Sequence, residues 1–83
     1  MPRRIDEPIQ VGYAKDGRTP GWFLWRRRKY EVREVATEWH QTGSWWQGGG
    51  ERTYLRIIAS NGAAYDLCYD TAGHEWRLDV LHD

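Results

Sequence analysis

The sequence predicts an all-β protein, a small six-stranded antiparallel barrel or a strongly bent sheet. Three observations carry that expectation. Apolar and polar residues alternate with period two in several short runs, the mark of half-buried strands. Turn dipeptides separate those runs, among them Asp16-Gly17, Pro20-Gly21 and Asn61-Gly62. Six Trp, five Tyr and one Phe among 83 residues supply large rings, which fill the core of so short a chain most efficiently. Closure into a barrel would also dispose of exposed strand edges.

Taken in order, residues 1–7 are charged and begin Met1-Pro2, so they read as a flexible N-terminal arm; residues 8–83 read as a single β domain. Pro8 opens a first strand in which Ile9, Val11 and Tyr13 alternate with polar or small neighbours. A loop follows over residues 14–21. The second strand, Trp22 to Arg26, has bulky residues on both faces, and the Trp-rich loop further on is a candidate to cover one of them. Arg27 and Arg28 stand at the next turn. A two-residue hairpin turn needs positive φ at its centre and favours Asn-Gly, so this pair argues for a longer or bulged turn.

The third strand runs from about Lys29 to Val35, with Tyr30 and Val32 on one face and Val35 out of phase unless a bulge forms near Arg33 and Glu34. Alternatively, Val32, Val35, Ala36 and Trp39 match an i, i+3, i+4, i+7 helical stripe. We read strand to Val35, then one short helical turn from Ala36 to His40. Gln41 to Gly50, with four glycines, is a loop carrying Trp45 and Trp46. Strand four spans Arg52 to Ala59, and Ser60-Asn61-Gly62 is the clearest hairpin signal in the chain. Strand five, Ala63 to Tyr69, places Tyr65, Leu67 and Tyr69 on one face and Asp66 and Cys68 on the other. Strand six, Glu75 to Leu81, turns Trp76, Leu78 and Val80 inward and Arg77, Asp79 and Leu81 outward. The expected core is Val11, Phe23, Trp25, Tyr30, Val32, Val35, Leu55, Ile57, Tyr65, Leu67, Trp76, Leu78 and Val80. The whole is a small barrel of the SH3-like type.

Twelve basic residues balance twelve acidic ones, so no global field draws the chain to nucleic acid or to an anionic membrane. One cysteine, Cys68, excludes an internal disulfide and fits a reducing compartment. No apolar run reaches the ~20 residues that span a bilayer, and the N-terminus lacks the apolar core of a signal peptide. The expected location is cytoplasmic.

Two groups are candidate binding residues. Arg26, Arg27, Arg28 and Lys29, with Arg33 beyond them, could contact phosphates; the structural alternative is a solvated turn balanced by Glu31, Glu34 and Glu38. Trp45 and Trp46 could stack unpaired bases or grip a partner peptide; the alternative is a lid over surplus apolar surface. His40, His74 and His82 lie far apart, and no zinc-ligand spacing occurs, so neither a metal nor another cofactor is expected. Cys68 and His74 could be imagined as nucleophile and base. Cys68 alternates with Tyr and Leu in a strand, however, as a small buried hydrophobe would, and no catalytic residue is expected.

Arg3-Arg4-Ile5-Asp6-Glu7-Pro8-Ile9, Trp22-Phe23-Leu24-Trp25-Arg26, Tyr30-Glu31-Val32-Arg33-Glu34-Val35, Trp39 and Trp45-Trp46 occur in that order, followed by Tyr54-Leu55-Arg56, Tyr65-Asp66-Leu67 and Trp76-Arg77-Leu78. This order resembles an uncharacterised bacterial domain family. The family occurs as small stand-alone proteins and also looks like the C-terminal tail of Y-family DNA-polymerase-like (ImuB-like) proteins, the inactive relatives used in mutagenic repair. The similarity covers nearly the whole chain, but its motifs are mostly core aromatics and turns. Arg27 stands where that pattern leads one to expect a small residue. The resemblance implies a non-catalytic accessory module for DNA repair, binding single-stranded or damaged DNA weakly or docking a repair protein. The alternative is a protein–protein interaction module with a Trp-rich surface and no nucleic-acid binding.

Overall fold

In the computed structural model, residues 2–42, 51–71 and 74–82 are described. They form six antiparallel strands, β1 (Pro2–Tyr13), β2 (Pro20–Trp25), β3 (Arg28–Thr42), β4 (Glu51–Ala59), β5 (Ala64–Asp70) and β6 (Glu75–His82). Neighbours in sequence are neighbours in space, and β1 closes the barrel against β6. Closure rests on two long strands that each serve two partners. β1 pairs through Pro2 to Ile9 with β6 and through Gln10 to Tyr13 with β2. β3 pairs through Arg28 to Glu31 with β2 and from Val32 onward with β4.

Bulges bend both of these strands. The β1–β6 register slips between Arg4 and Glu7, with Asp6 at φ 53°. The β3–β4 register slips between Val32 and Glu34 and again between Val35 and Thr37. A bulge adds one residue to one strand only and sharpens its twist, which is what turning a sheet's corner requires.

The barrel interior is filled by Phe23, Ile57, Leu67 and Leu78, all fully buried, together with Trp25, Leu55, Ala59, Tyr65 and Leu81. Ile5, Ile9, Val11, Tyr30, Val32 and Trp76 pack against this cluster from its margins. Phe23 stacks on Tyr30 at 5.0 Å between ring centroids, and Tyr65 meets both rings edge-on. Phe23→Ala would remove a ring at full burial, a change of about 3–5 kcal/mol.

Several expectations need correction. The charged N-terminus is not a loose arm. Its period-two pattern runs back through Ile9 to Ile5, which packs against the core. Its charges find partners on β6: Asp6 accepts from Arg77 Nε at 3.0 Å, and Arg4 lies 3.8 Å from Asp79.

No helical turn forms over residues 36–40, because β3 continues to Thr42. The bulge expected near Arg33 does form and sets Val35 opposite Ile57, yet Val35 stays 36% exposed. The second bulge, at Ala36, then passes the strand on to Trp39, whose ring stacks on Tyr54 at 5.3 Å. In β6 the phase also slips: Asp66 faces Val80 while Leu67 faces Leu78, so Asp79 is an extra residue. Leu81 is therefore the buried residue, and Val80 and His82 share the outer face with Asp66.

The turns are built with few residues. Asn61-Gly62 forms the expected hairpin, with Gly62 at φ 88° and the Asn61 side-chain oxygen accepting from Ala63 N. In the β1–β2 loop, the Asp16 carboxylate accepts bonds from the Thr19 hydroxyl and from the backbone N–H groups of Thr19 and Arg18. Those bonds hold its pKa at about 2. The β2–β3 turn differs from expectation. Trp25 pairs directly with Arg28, leaving a two-residue turn in which Arg26 has φ 51° and Arg27 φ 65°. This is the geometry that favours Asn-Gly, here adopted by two arginines.

The outer face of β4, β5 and β6 is also ordered. Asp66 is 4% exposed on it. Arg56 donates to Asp66 through Nε at 2.8 Å and Nη2 at 3.2 Å, and His82 Nε2 lies 2.9 Å from the same carboxylate. Burial pushes this carboxyl up, but the bonds from Arg56 and His82 outweigh it and leave the pKa below the ordinary value.

Two stability measurements follow from this geometry. Asp66→Asn should destabilise the chain by about 1–2 kcal/mol in urea unfolding at neutral pH, less than a fully buried pair because the Arg56 side chain is 42% exposed. The Asp66 pKa is depressed on folding, so its contribution is complete above the unfolded value. It is lost as pH falls below 3.8 and through the native value. The gap between wild type and Asp66→Asn should therefore close in acid; a gap that persists there would assign the effect to packing. Arg27→Gly should raise stability by about 0.5–1 kcal/mol, since relief of the left-handed backbone exceeds the entropy glycine adds to the unfolded chain. A fall in stability would mean that the Arg27 side chain supports the turn.

Candidate functional site

The basic turn separates into arginines with different tasks. Arg26 is committed to the fold. Its Nη2 donates to Glu7 Oε2 at 2.7 Å, and its guanidinium lies 4.7 Å from the centre of the Trp25 ring. Glu7 also accepts from Trp25 Nε1 at 3.1 Å. The Arg26 bond, followed by that from Trp25, holds the Glu7 carboxyl below its usual range. One carboxylate on β1 thus ties down both the last residue of β2 and the first residue of the turn.

Arg27 and Arg28 are exposed and have no ion pair or hydrogen bond from their side chains among the described residues. Lys29 turns to the outer face, where its Nζ sits 5.2 Å from the centre of the Trp22 ring. Arg33 occupies the first β3 bulge, also exposed, ~16 Å along the strand from Arg28 by strand rise.

The alternation of β2 explains this outer face. Phe23 and Trp25 point into the barrel, so Trp22 and Leu24 must point out, opposite Glu31 and Lys29 of β3. Gly12 of β1 lies across from Trp22. A Cβ on Gly12 would fall 2.0 Å from Trp22 Cε2, so the indole rests directly on the β1 backbone. Beside it Pro8, Ile9, Gln10, Leu24 and Arg27 line a shallow groove of about 330 Å³. The result is a partly buried Trp, an apolar strip and two cations, Arg27 and Lys29, on one side of the hairpin; Arg28, paired with the inward-facing Trp25, leaves the strand on the other face. Glu31 is the acidic neighbour opposite Trp22.

Arg27 and Lys29 therefore share the outer face, Arg28 stands at the same tip but on the other face, Arg26 is withdrawn into an ion pair, and Arg33 is set apart. Trp45 and Trp46 lie outside the described residues. The residues that flank their loop, Thr42 and Glu51, pair at the far end of the β3–β4 hairpin. Fifteen residues of β3 lead away from the basic turn to that end, on the order of 40 Å. Trp22, Gly12 and Glu7 were missing from the sequence-derived site. A glycine within a strand marks a close backbone approach, and Gly12 carried that signal for Trp22. Glu7 carried none, since its partner Arg26 is 19 residues away.

Cys68 and His74 lie toward opposite faces of β5. Cys68 is buried on the outer face opposite Arg77. Burial raises its thiol pKa. His74 Nδ1 lies 3.2 Å from the hydroxyl of Tyr69, the next residue along β5, whose side chain points to the opposite face.

No curated protein and no solved structure matches the chain. The model of one family, a domain of unknown function designated DUF6504, matches residues 1–83. The chain belongs to the DUF6504 family.

Proposed function

We propose that this chain is a non-catalytic accessory module that binds single-stranded DNA weakly along the outer face of β1, β2 and the start of β3. One observation carries the reading: Arg27 is held in a left-handed conformation at a hairpin tip, without a partner among the described residues, on the groove of Leu24, while Lys29 sets its ammonium over the partly buried Trp22. Backbone strain of this kind costs about 1–3 kcal/mol and concentrates at functional sites. Arg27, Arg28 and Lys29 supply phosphate contacts, and Trp22 supplies a stacking face that accepts any base. The groove is shallow and holds no helix, which suits an unstacked strand better than a duplex groove. The balanced net charge fits weak binding. The resemblance to the tail of mutagenic-repair proteins favours DNA and a role in repair. A competing reading, a protein-docking module, is favoured by that same balance of charge.

An amide NMR titration with a short mixed-sequence single strand, at low and moderate salt, separates the two. Nucleic-acid binding should shift Arg27, Arg28, Lys29 and the Trp22 indole N–H, with log K falling against log salt at a slope of about −2 for three phosphates. Arg27→Gly with Arg28→Gln should weaken binding by about tenfold or more while leaving the turn intact, and Trp22→Ala by a similar factor. A silent spectrum, or binding indifferent to these changes, would discard the nucleic-acid reading in favour of a protein partner.

A further inference from the structure

Among the described residues, the opposite end of the barrel forms a concave mouth. Two adjoining hollows of about 290 and 470 Å³ share Arg18, Glu38 and Leu55 in their walls. The large hydrophobic side chains that stand most exposed among the described residues, Tyr13 at 50% and Val35 at 36%, both line this mouth. Surface at this cost in water, gathered in one concavity, is the ordinary character of a small-ligand site.

Its chemistry is specific. Tyr13, Tyr69 and Trp76 line the smaller hollow. Trp76 meets Tyr13 at 6.4 Å and 61°, and Tyr69 at 5.0 Å and 51°. Rings inclined in this way form a corner rather than a stack. Hydrogen bonds hold the corner in place: Trp76 Nε1 donates to the Tyr13 hydroxyl at 3.0 Å, and the Tyr69 hydroxyl lies 3.2 Å from His74 Nδ1. Glu38 brings a carboxylate to the same wall, and its ion-pair contact is a long one, 3.9 Å from His40 Nε2. Aromatic faces and a carboxylate attract a cation from two sides.

We propose that this mouth binds an organic cation, a methylated ammonium group seated among Tyr13, Tyr69 and Trp76 with Glu38 as its counter-charge. Methylation is what the walls select. A bare ammonium or a metal ion keeps its water or demands several oxygen ligands, and the smaller hollow offers one carboxylate among rings and Leu55, the Asp16 carboxylate of the adjoining hollow being taken up by Thr19 and the Arg18 N–H. A methylated ammonium is weakly hydrated and presents methyl groups to the rings. Arg18 on the rim carries the ligand's own sign, so it opposes the ligand and competes for Glu38. The site is independent of the basic turn, which lies at the other end of the barrel.

The test follows the Trp76 indole N–H of the full chain by NMR while choline, and separately its neutral tert-butyl analogue, is added. Choline should bind more tightly than the analogue by about threefold to thirtyfold. Glu38→Gln should weaken choline binding and Arg18→Gln should strengthen it. Tyr13→Ala, at an exposed side chain, should abolish it, and Arg27→Gly should leave it unchanged. Equal binding of the neutral analogue would overturn the proposal, as would effects of Glu38→Gln and Arg18→Gln with reversed signs, which would mark an anion site. A trimethyl-lysine peptide that outbinds both choline and the unmodified peptide would place the cation on a protein tail, whereas choline outbinding that peptide would make it a free small molecule. No response to either methylated probe would also overturn it.

Discussion

A six-stranded sheet in a chain of this length buries its inner face only if its two edges meet, and the edges meet only if strands bend. The bending is concentrated in β1 and β3, the two strands that change partner partway along. The shorter strands then follow. The interior shows the dependence: Phe23 from β2, Tyr30 from β3 and Tyr65 from β5 form one ring cluster. With β1 unpaired from β6, the inner face that these rings fill would lie open. The N-terminal segment, whose charges make it look dispensable, supplies the closing edge.

The strand inventory was legible because turn residues and period-two patterns are local signals. Phase was legible only at Val35, whose displacement signalled the bulge near Arg33; in β6 the bulge left no mark. Val80 and Leu81 are both apolar, and either could have faced inward; the extra residue at Asp79 decided for Leu81. The helical stripe through Val32, Val35, Ala36 and Trp39 has a related origin. A bulge between two inward residues spaces them three apart, which is also the spacing of neighbours on a helix face. Val32 and Val35 bracket such a bulge at Arg33, so the pattern was real and its cause was a bent strand.

The site was legible in its cations and illegible in its geometry. Net charge hid a separation of roles. On the outer face of β1 and the β4–β6 strands, Arg56 meets Asp66, Arg77 meets Asp6 and Arg4 approaches Asp79, a lattice that neutralises itself. The excess positive charge of the hairpin tip is a local quantity that a sum over the chain cannot register. Trp45 and Trp46, the tryptophans conspicuous in sequence, lie outside the described residues; the ring that the structure sets beside a cation of the tip is Trp22, under Lys29. Trp22 was reachable only by following alternation along β2 to the strand's outer face.

The tip itself holds the sharpest contrast between fold and function. Arg26 and Arg27 adopt the same unfavourable backbone region. At Arg26 the cost is offset, since its guanidinium is paired with Glu7 and stacked over Trp25. Nothing among the described residues offsets it at Arg27, where glycine or asparagine would satisfy the same turn with less strain. A two-residue turn needs no long cation at its second position, and a solvated tip could place one on any neighbouring residue without the penalty. What this position adds is reach: a guanidinium at the hairpin tip, lining the groove of Pro8 and Leu24. On the proposed reading, the strain at Arg27 is the cost of directing a charge at a ligand outside the fold.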